Sequence, residues 1–333
     1  MPSLVVFSRD PGPTNLLLAV IDSLKAPAKP DDASGLSALR SALTGVLDEV
    51  HIASRPPGVS TWQSEGYSPS EWSGRDLAAA VALLEERDAG AVLTGTSDVD
   101  EASDRHLWQA AKILNLQSHA LLDHPAFLAL RFTESDGALV WPSYVYVADA
   151  PFAERLREIG APADRIRIIG DLHHMRLREL LKAAQPAAIS SLRSRWGAAG
   201  HTFVILFVSD CVREMMQAGL HFDYDEVEAL NALLSRVASG VLPDGNCVRP
   251  GRILIVVRPH PRDQDGKYQS VISKFEDDLR IVISSEGASH LALSAADLIA
   301  GMNSSMLYEA IVLGRTTVSL TGHDIKAGKS FAT

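Results

Sequence analysis

The chain of 333 residues contains only two cysteines, Cys211 and Cys247, far apart and in no CxxC pair. That excludes a disulfide scaffold and a structural zinc site, and it makes a reducing compartment the expected setting. Long apolar runs are missing as well. No window approaches the roughly 18 consecutive apolar residues that a bilayer span requires. The start, "MPSLVVFSRDPG", has a short apolar run closed by Arg9-Asp10, which is not a signal peptide. The expected location is the cytoplasm, with peripheral attachment to a membrane and a homodimer both left open. Positive charge is in deficit: 31 Lys and Arg against 41 Asp and Glu leave a net charge of −10. That argues against a nucleic-acid partner. Both glycine fingerprints for phosphates are missing too. "SRDPGPTN" holds only Gly12 where GxGxxG would need three glycines, and no GxxxxGK[ST] occurs.

What is present is ordinary globular material, 46% hydrophobic and 22% charged, in a length that favours two domains. Short apolar runs alternate with helical patterns. "SLVVFS" (3–8) reads as a buried strand, followed by a turn "RDPGPTN" and a helix "LLLAVIDSL". Further strands are expected in "VLDEVHIAS", "DAGAVLTGTS", "SHALLDHP", "YVYVADA" and "RIRIIGD", with helices in "GRDLAAAVALLEERD", "LWQAAKILNL" and "APFAERLREIG". The alternation breaks at the polar helical stretch "LKAAQPAAISSLRSRWGAAGH". It restarts with "TFVILFVSD", "RILIVVRPHP", "LRIVISS", "ADLIAGM" and "TTVSLTG". Continuous apolar strands separated by helices indicate parallel sheets covered on both faces. The expected fold is α/β, with two doubly wound domains, 1–175 and 190–333, facing a cleft. Residues 30–75, rich in Ser, Pro and Gly, are expected as loop and short helix.

Ligands of such sheets sit at the carboxyl ends of the strands, so the candidate residues are those just past each strand. After "ADLIAG" come Asn303, Ser304 and Ser305, with Ser304 or Ser305 at the N-cap of the next helix. A serine cap is worth about 1 kcal/mol; the free amides and positive end of the helix also make a phosphate seat. Glu309 follows Ser305 by one turn and is suited to accept hydrogen bonds from the vicinal hydroxyls of a ribose. In "VVRPHPRD", Pro259 and Pro261 hold His260 between Arg258 and Arg262 at a strand end, where such donors suit phosphate oxygens. Ser209 and Asp210 border the same place, or cap the next helix.

In the first half the expected bend at "SRDPGPTN" exposes Asp10, Thr14 and Asn15 beside Gly12. "TGTSDVDEASDRH" places Thr96, Ser97 and Asp98 at another strand end. Its acids are read as a solvated loop and helix cap in preference to a metal site. Asp123 and His124 close a third strand, a pair able to supply a general base. His173-His174 lack the partners of a metal site and are read as hinge residues.

Taken together, "RPHP" and "ADLIAGMNSSMLYEAIVLGRTTVSL" resemble the C-terminal half of GT-B glycosyltransferases. They are also similar to CDP-glycerol glycerophosphotransferases and non-hydrolysing UDP-N-acetylglucosamine 2-epimerases, which share that fold. "GTSDVDEASDRHLWQAAKILNLQSHALLDHP" and "YVYVADAPFAERLREIGAPADRIRIIGD" are similar to the second part of their N-terminal domain. The resemblance spans about residues 90–320. It implies that Ser304 and Ser305 contact a donor diphosphate, that His260 lies by the phosphates and that Glu309 binds the ribose. It implies a nucleotide-sugar substrate, no required cofactor or metal, and one of Asp10, Asp98 and Asp123 as the base that activates an acceptor hydroxyl. Two departures count against the epimerases. Where they carry a "HRRE"-like motif, residues 209–214 read Ser-Asp-Cys-Val-Arg-Glu, and their "EAG" acid motif appears only as "LDHP". Many members end in a helix that returns to the first domain. None is seen after "SLTGHDIKAGKS", so either a shortened chain or a differently closed cleft is expected.

Overall fold

The computed structural model describes residues 2–29, 32–97, 101–125, 127–198, 200–217, 219–242, 245 and 250–321. The chain divides into two compact units, Met1–Arg176 and Leu177–Thr333.

The first unit runs β1 (Ser3–Ser8), α1 (Pro11–Lys25), α2 (Ser34–Ala42), β2 (Val50–Ser54), α3 (Gly58–Ser64), β3 (Ser70–Glu71), α4 (Leu77–Glu86) and β4 (Ala89–Thr94). It continues with α5 (Ser103–Ile113), β5 (Gln117–Leu121), α6 (Leu128–Phe132), β6 (Tyr144–Val147), α7 (Ala150–Glu158) and β7 (Ile166–Ile168), and α8 (Leu172–Ala183) crosses the division. Its seven strands are all parallel, in the order β3-β2-β1-β4-β5-β6-β7. The second unit contains α9 (Pro186–Arg195), β8 (Phe203–Val208), α10 (Val212–Gln217), α11 (Glu226–Ala238), β9 (Ile253–Arg258) and α12 (Gln269–Ile272). β10 (Arg280–Ile283), α13 (Ser289–Ala295), β11 (Leu298–Gly301), α14 (Ser305–Val312) and β12 (Thr317–Ser319) complete it. Five parallel strands lie in the order β10-β9-β8-β11-β12.

Both orders share a plan. The first strand sits inside the sheet, the next two add on one side, and the chain then returns to add on the other. The reversal falls between β1 and β4 in one unit and between β8 and β11 in the other. It opens a crevice at the carboxyl ends, where doubly wound folds bind ligands. Residues of the central strands alternate between two cores, as a period of two requires. Leu4 and Val6 pack with Leu17, Ile21 and Trp62, while Val5 and Phe7 pack with Leu84 and Leu107 on the other face. Ile205 and Phe207 face Leu230 and Leu234, and Val204 and Leu206 face Leu192 and Ala292. Each such buried side chain contributes about 1.5–3 kcal/mol.

The stretch 9–15 is not the turn that its prolines suggest. α1 starts at Pro11, with Asp10 in extended conformation at the N-cap. The first four amides of a helix have no intrahelical acceptor, so Pro11 and Pro13 cost no hydrogen bond there. As a result Thr14, expected to be exposed, is fully buried. It donates to the Asp10 carbonyl at 2.8 Å. Gly95, just past β4, admits this tight entry: a Cβ there would lie 2.3 Å from the Pro13 Cβ. Residues 30–75 are also more regular than expected, holding α2, β2, α3 and the edge strand β3. No helix among the described residues is long and apolar enough to cross a membrane.

Candidate functional site

In the second unit the candidate residues gather at the carboxyl ends of β9, β8 and β11, three neighbouring strands. α14 follows β11 after residues 302–304. Ser304 is its N-cap, extended at φ −68° and ψ 147°, and its Oγ accepts the Leu307 N–H at 3.2 Å. Asn303 and Ser305 are exposed. Asn303 donates from its amide to the Tyr224 hydroxyl at 2.6 Å, so a tyrosine outside any motif borders this helix end. Ser305 and Glu309, one turn apart, occupy different environments: Ser305 is exposed and Glu309 is 4% exposed.

Glu309 lies in the field of Arg258 at the end of β9. Burial pushes the Arg258 guanidinium below its ordinary pKa, and the Glu309 carboxylate opposes that shift. The guanidinium donates to the carbonyls of Glu286 and Gly287 at 2.9 and 2.8 Å. It is thereby held at the strand end. His260, two residues on, stands between prolines that have no N–H. Its own N–H donates to Asp263 Oδ2 at 2.8 Å, and its Nδ1 accepts the Arg262 N–H at 3.2 Å. That bond puts the proton of the neutral imidazole on Nε2, as a donor.

Ser209, just past β8, continues the ladder by donating its N–H to the Arg258 carbonyl at 3.1 Å. Its hydroxyl meets the Tyr268 hydroxyl in a short hydrogen bond. Asp210 accepts the Cys211 N–H at 3.0 Å. Behind these residues lies a group that motif reading missed. Lys267, 6% exposed, bonds Asp263 at 2.7 Å and Glu214 at 2.8 Å, and it pairs closely with the fully buried Glu226. Burial pushes the Glu226 carboxyl up, with Lys267 opposing it. Burial would lower Lys267, but its bonds to the three acids outweigh that and raise it. The alternating signs of "RPHPRDQDGK" hint at such a cluster; Glu214 and Glu226 come from distant helices and give no local signal.

In the first unit the crevice lies between β1 and β4. A Cβ on Gly12 would lie 2.3 Å from Asp123 Oδ2, so α1 brings its first turn directly against the Asp123 carboxylate. Any larger residue would require the Asp123 side chain to move. Asp123 pairs with Arg131 at 2.9 Å, and the same guanidinium nitrogen donates to Thr96 Oγ1 at 2.7 Å. Arg131, carried by α6 with 8% side-chain exposure, joins two of the predicted strand ends without belonging to either. Asp10, Asn15 and His124 are half-buried. Asp98 lies outside the described residues.

Glu101 and Asp104, the described acids of "DEASD", are not solvated. Glu101 is 6% exposed and Asp104 1%. Glu101 pairs with Arg55 at 2.8 Å and accepts the Ser103 N–H at 2.9 Å. Burial would raise its pKa, but the Ser103 bonds and the charges of Arg55 and Arg9 hold it below the usual range. Asp104 accepts the Ser97 N–H at 2.6 Å and the Arg105 N–H at 3.0 Å. Burial pushes its carboxyl up to about 7, against the opposing pull of Arg105 and of these two bonds. The physical reason for the difference is that Glu101 has Arg55 as an ion-pair partner and Asp104 has two backbone N–H donors, which let these carboxyls leave water. His173 and His174 lie in the first turn of α8, where His174 Nδ1 is 2.6 Å from Asp171.

No protein-family model matches the chain, and no curated protein matches it in sequence. Solved structures do match in fold. The UDP-GlcNAc 2-epimerase from Methanocaldococcus jannaschii superposes with a TM-score of 0.58 at 12% identity, over 95% of this chain and 82% of that one. The Neisseria meningitidis UDP-GlcNAc 2-epimerase, solved bound to UDP-GlcNAc, gives 0.58 at 11% identity over 95% and 81%. A glycosyltransferase from Rickettsia africae ESF-5 gives 0.51 at 11% identity over 95% and 78%. At these identities the likeness is one of fold: two Rossmann-like parallel-sheet units, as the motif resemblance implied.

Proposed function

We propose that the protein is a glycosyltransferase that moves a sugar from a nucleotide-activated donor to an acceptor hydroxyl, in glycan or polysaccharide assembly. The observation that supports this reading is the carboxyl edge of the second sheet. There the capped N-terminus of α14 stands at the strand-order reversal, on the same edge as Arg258, His260 and Ser209. Cleaving the sugar–phosphate bond leaves negative charge on the diphosphate. Free amides at a helix start, a serine hydroxyl, a guanidinium and an Nε2–H donor are groups that stabilise such charge as it develops. In this reading Asn303, Ser304, Ser305, Arg258 and His260 take the diphosphate, Glu309 takes the ribose, and Ser209 and Asp210 border the nucleotide. The acceptor is assigned to the first unit, with Asp10, Asp98 or Asp123 as base and Gly12, Thr14, Asn15 and His124 on the acceptor side.

UDP-GlcNAc is the first donor to test, because the Neisseria meningitidis neighbour was solved with it bound. The epimerase neighbours also favour a second reading, an epimerase acting on the same donor. Against it stands the segment 209–214, which has no histidine.

A thermal-shift screen with UDP, GDP, CDP, CMP and dTDP tests the shared premise. A ligand at 100 times its Kd that binds only the folded state adds about 2.7 kcal/mol of apparent stability. One nucleoside diphosphate is expected to stabilise the protein. Release of UDP from UDP-GlcNAc only when an acceptor is supplied identifies the transferase. An epimeric UDP-sugar without release identifies the epimerase, release of CMP from a CDP-alcohol identifies a phosphotransferase, and no shift with any nucleotide removes the premise.

A further inference from the structure

We propose that Asp263 is the positioning residue of the His260 turn, and that Lys267 and Tyr268 fix it in that role. The inference rests on the nucleotide-sugar reading and deepens it by naming what orients its imidazole.

The run Pro259-His260-Pro261 can offer one backbone N–H, that of His260, because proline has none. Asp263 Oδ2 accepts it at 2.8 Å, and the Asp263 N–H returns to the His260 carbonyl at 2.9 Å. The turn is therefore closed twice over by one residue. The same Oδ2 accepts the Tyr268 hydroxyl at 2.6 Å, and Oδ1 accepts Lys267 at 2.7 Å. With 2% of its side chain exposed, Asp263 has its acceptor sites taken by protein donors.

These donors are themselves anchored. Tyr268 is 2% exposed in the core that holds Phe207 and Val271, and its hydroxyl also meets Ser209 beyond β8. Lys267 reaches Glu214 on α10 and Glu226 on α11. One carboxylate thus ties the turn after β9 to the strand end after β8 and to both following helices. The two prolines restrict the backbone of the turn, and Asp263 selects its orientation. The Arg262 N–H then holds Nδ1, which places the proton of a neutral His260 ring on Nε2. Asp263 acts on phosphate only through His260. The Asp263 charge is neutralised by Lys267 at 2.7 Å.

The test is calorimetric titration of UDP into wild type, His260→Ala, Asp263→Asn and the double variant, with imidazole nitrogen NMR of the free proteins. Asparagine keeps the size but turns one acceptor into a donor facing donors. His260→Ala and Asp263→Asn should each weaken UDP binding roughly tenfold, the scale of one charged hydrogen bond. The double variant should bind no worse than His260→Ala alone. Wild type should show the Nε2–H tautomer of His260, and Asp263→Asn a mixture. Equal losses from Asp263→Asn with and without His260 overturn the inference, as does an unchanged His260 spectrum. Should Asp263→Asn fail to fold, Tyr268→Phe replaces it, since it removes one donor to Asp263 and keeps the ring in the core. It should weaken UDP about threefold in the wild-type background only. If wild type binds none of UDP, CDP, GDP and dTDP, the functional reading falls, and the NMR comparison alone decides the positioning role.

Discussion

At the scale of single residues, the buried ionisable groups make the sharpest predictions. Asp104 has its pKa raised to about 7 by burial, from 3.8. A carboxyl raised in the folded state favours folding below the unfolded pKa, and that support is lost as pH rises through the folded value. Its contribution therefore falls between about pH 4 and 7. Asp104→Asn keeps an acceptor for Ser97 and removes the charge. It should flatten the decline of the urea midpoint between pH 5 and 8 and leave the variant more stable than wild type at pH 8. A decline of equal slope in both proteins would exclude Asp104 as its source. His119 works in the opposite sense. Fully buried, with Nδ1 3.0 Å from the Tyr146 hydroxyl, it has its pKa lowered to about 4 by burial. Its contribution is complete above pH 6.5 and is lost as pH falls toward 4, so the acid limb should persist in Asp104→Asn. Glu309 makes a third case. If it takes the ribose, Glu309→Gln should weaken UDP about tenfold and leave inorganic pyrophosphate binding unchanged. Loss of both would reassign it as the counter-charge of Arg258.

At the scale of elements, α14 separates a cap from a phosphate seat. Ser304→Ala removes the bond to the Leu307 N–H and should cost about 1 kcal/mol of stability. Ser304→Asp restores a cap and sets a negative charge at the positive end of the helix. It should recover the melting temperature of wild type yet bind UDP more weakly than Ser304→Ala does. If the two variants bound UDP equally, no phosphate would sit there. α1 carries the opposite lesson about reading elements from sequence. Two prolines and a glycine look like a turn, and they form the first turn of a helix because unpaired amides are permitted there.

At the scale of the whole molecule, hydrogen exchange should show where a nucleotide acts. UDP is expected to slow the amides of Arg258, His260, Arg262 and Asp263 and those of residues 303–309, and to leave those of residues 3–8 unchanged. Protection in β1 instead would move the donor to the first unit. The strands were legible in the sequence because parallel sheets covered on both faces leave unbroken apolar runs, as in "SLVVFS" and "TFVILFVSD". β3 was not, being two exposed residues on an edge. Ser304, His260 and Asp123 could be picked out because they follow such runs directly. Arg131, Tyr224, Glu214 and Glu226 could not. Each reaches its partner through the fold, from a helix or loop whose local pattern carries no mark of the contact. Glu101 misled for the same reason, since Arg55, its partner, is 46 residues away.

The strand order of the first unit also bears on how the protein is made. All seven of its strands lie within residues 3–168, and the central β1 finds both neighbours, β2 and β4, in the first 94. A nascent chain therefore exposes everything this sheet requires while the ribosome is still translating the second half. Domains generally fold as units during synthesis, the N-terminal one first. Pausing translation after codon 200 should accordingly release a protease-resistant N-terminal fragment, whereas a pause before codon 117, with β5, β6 and β7 unmade, should release one that is degraded.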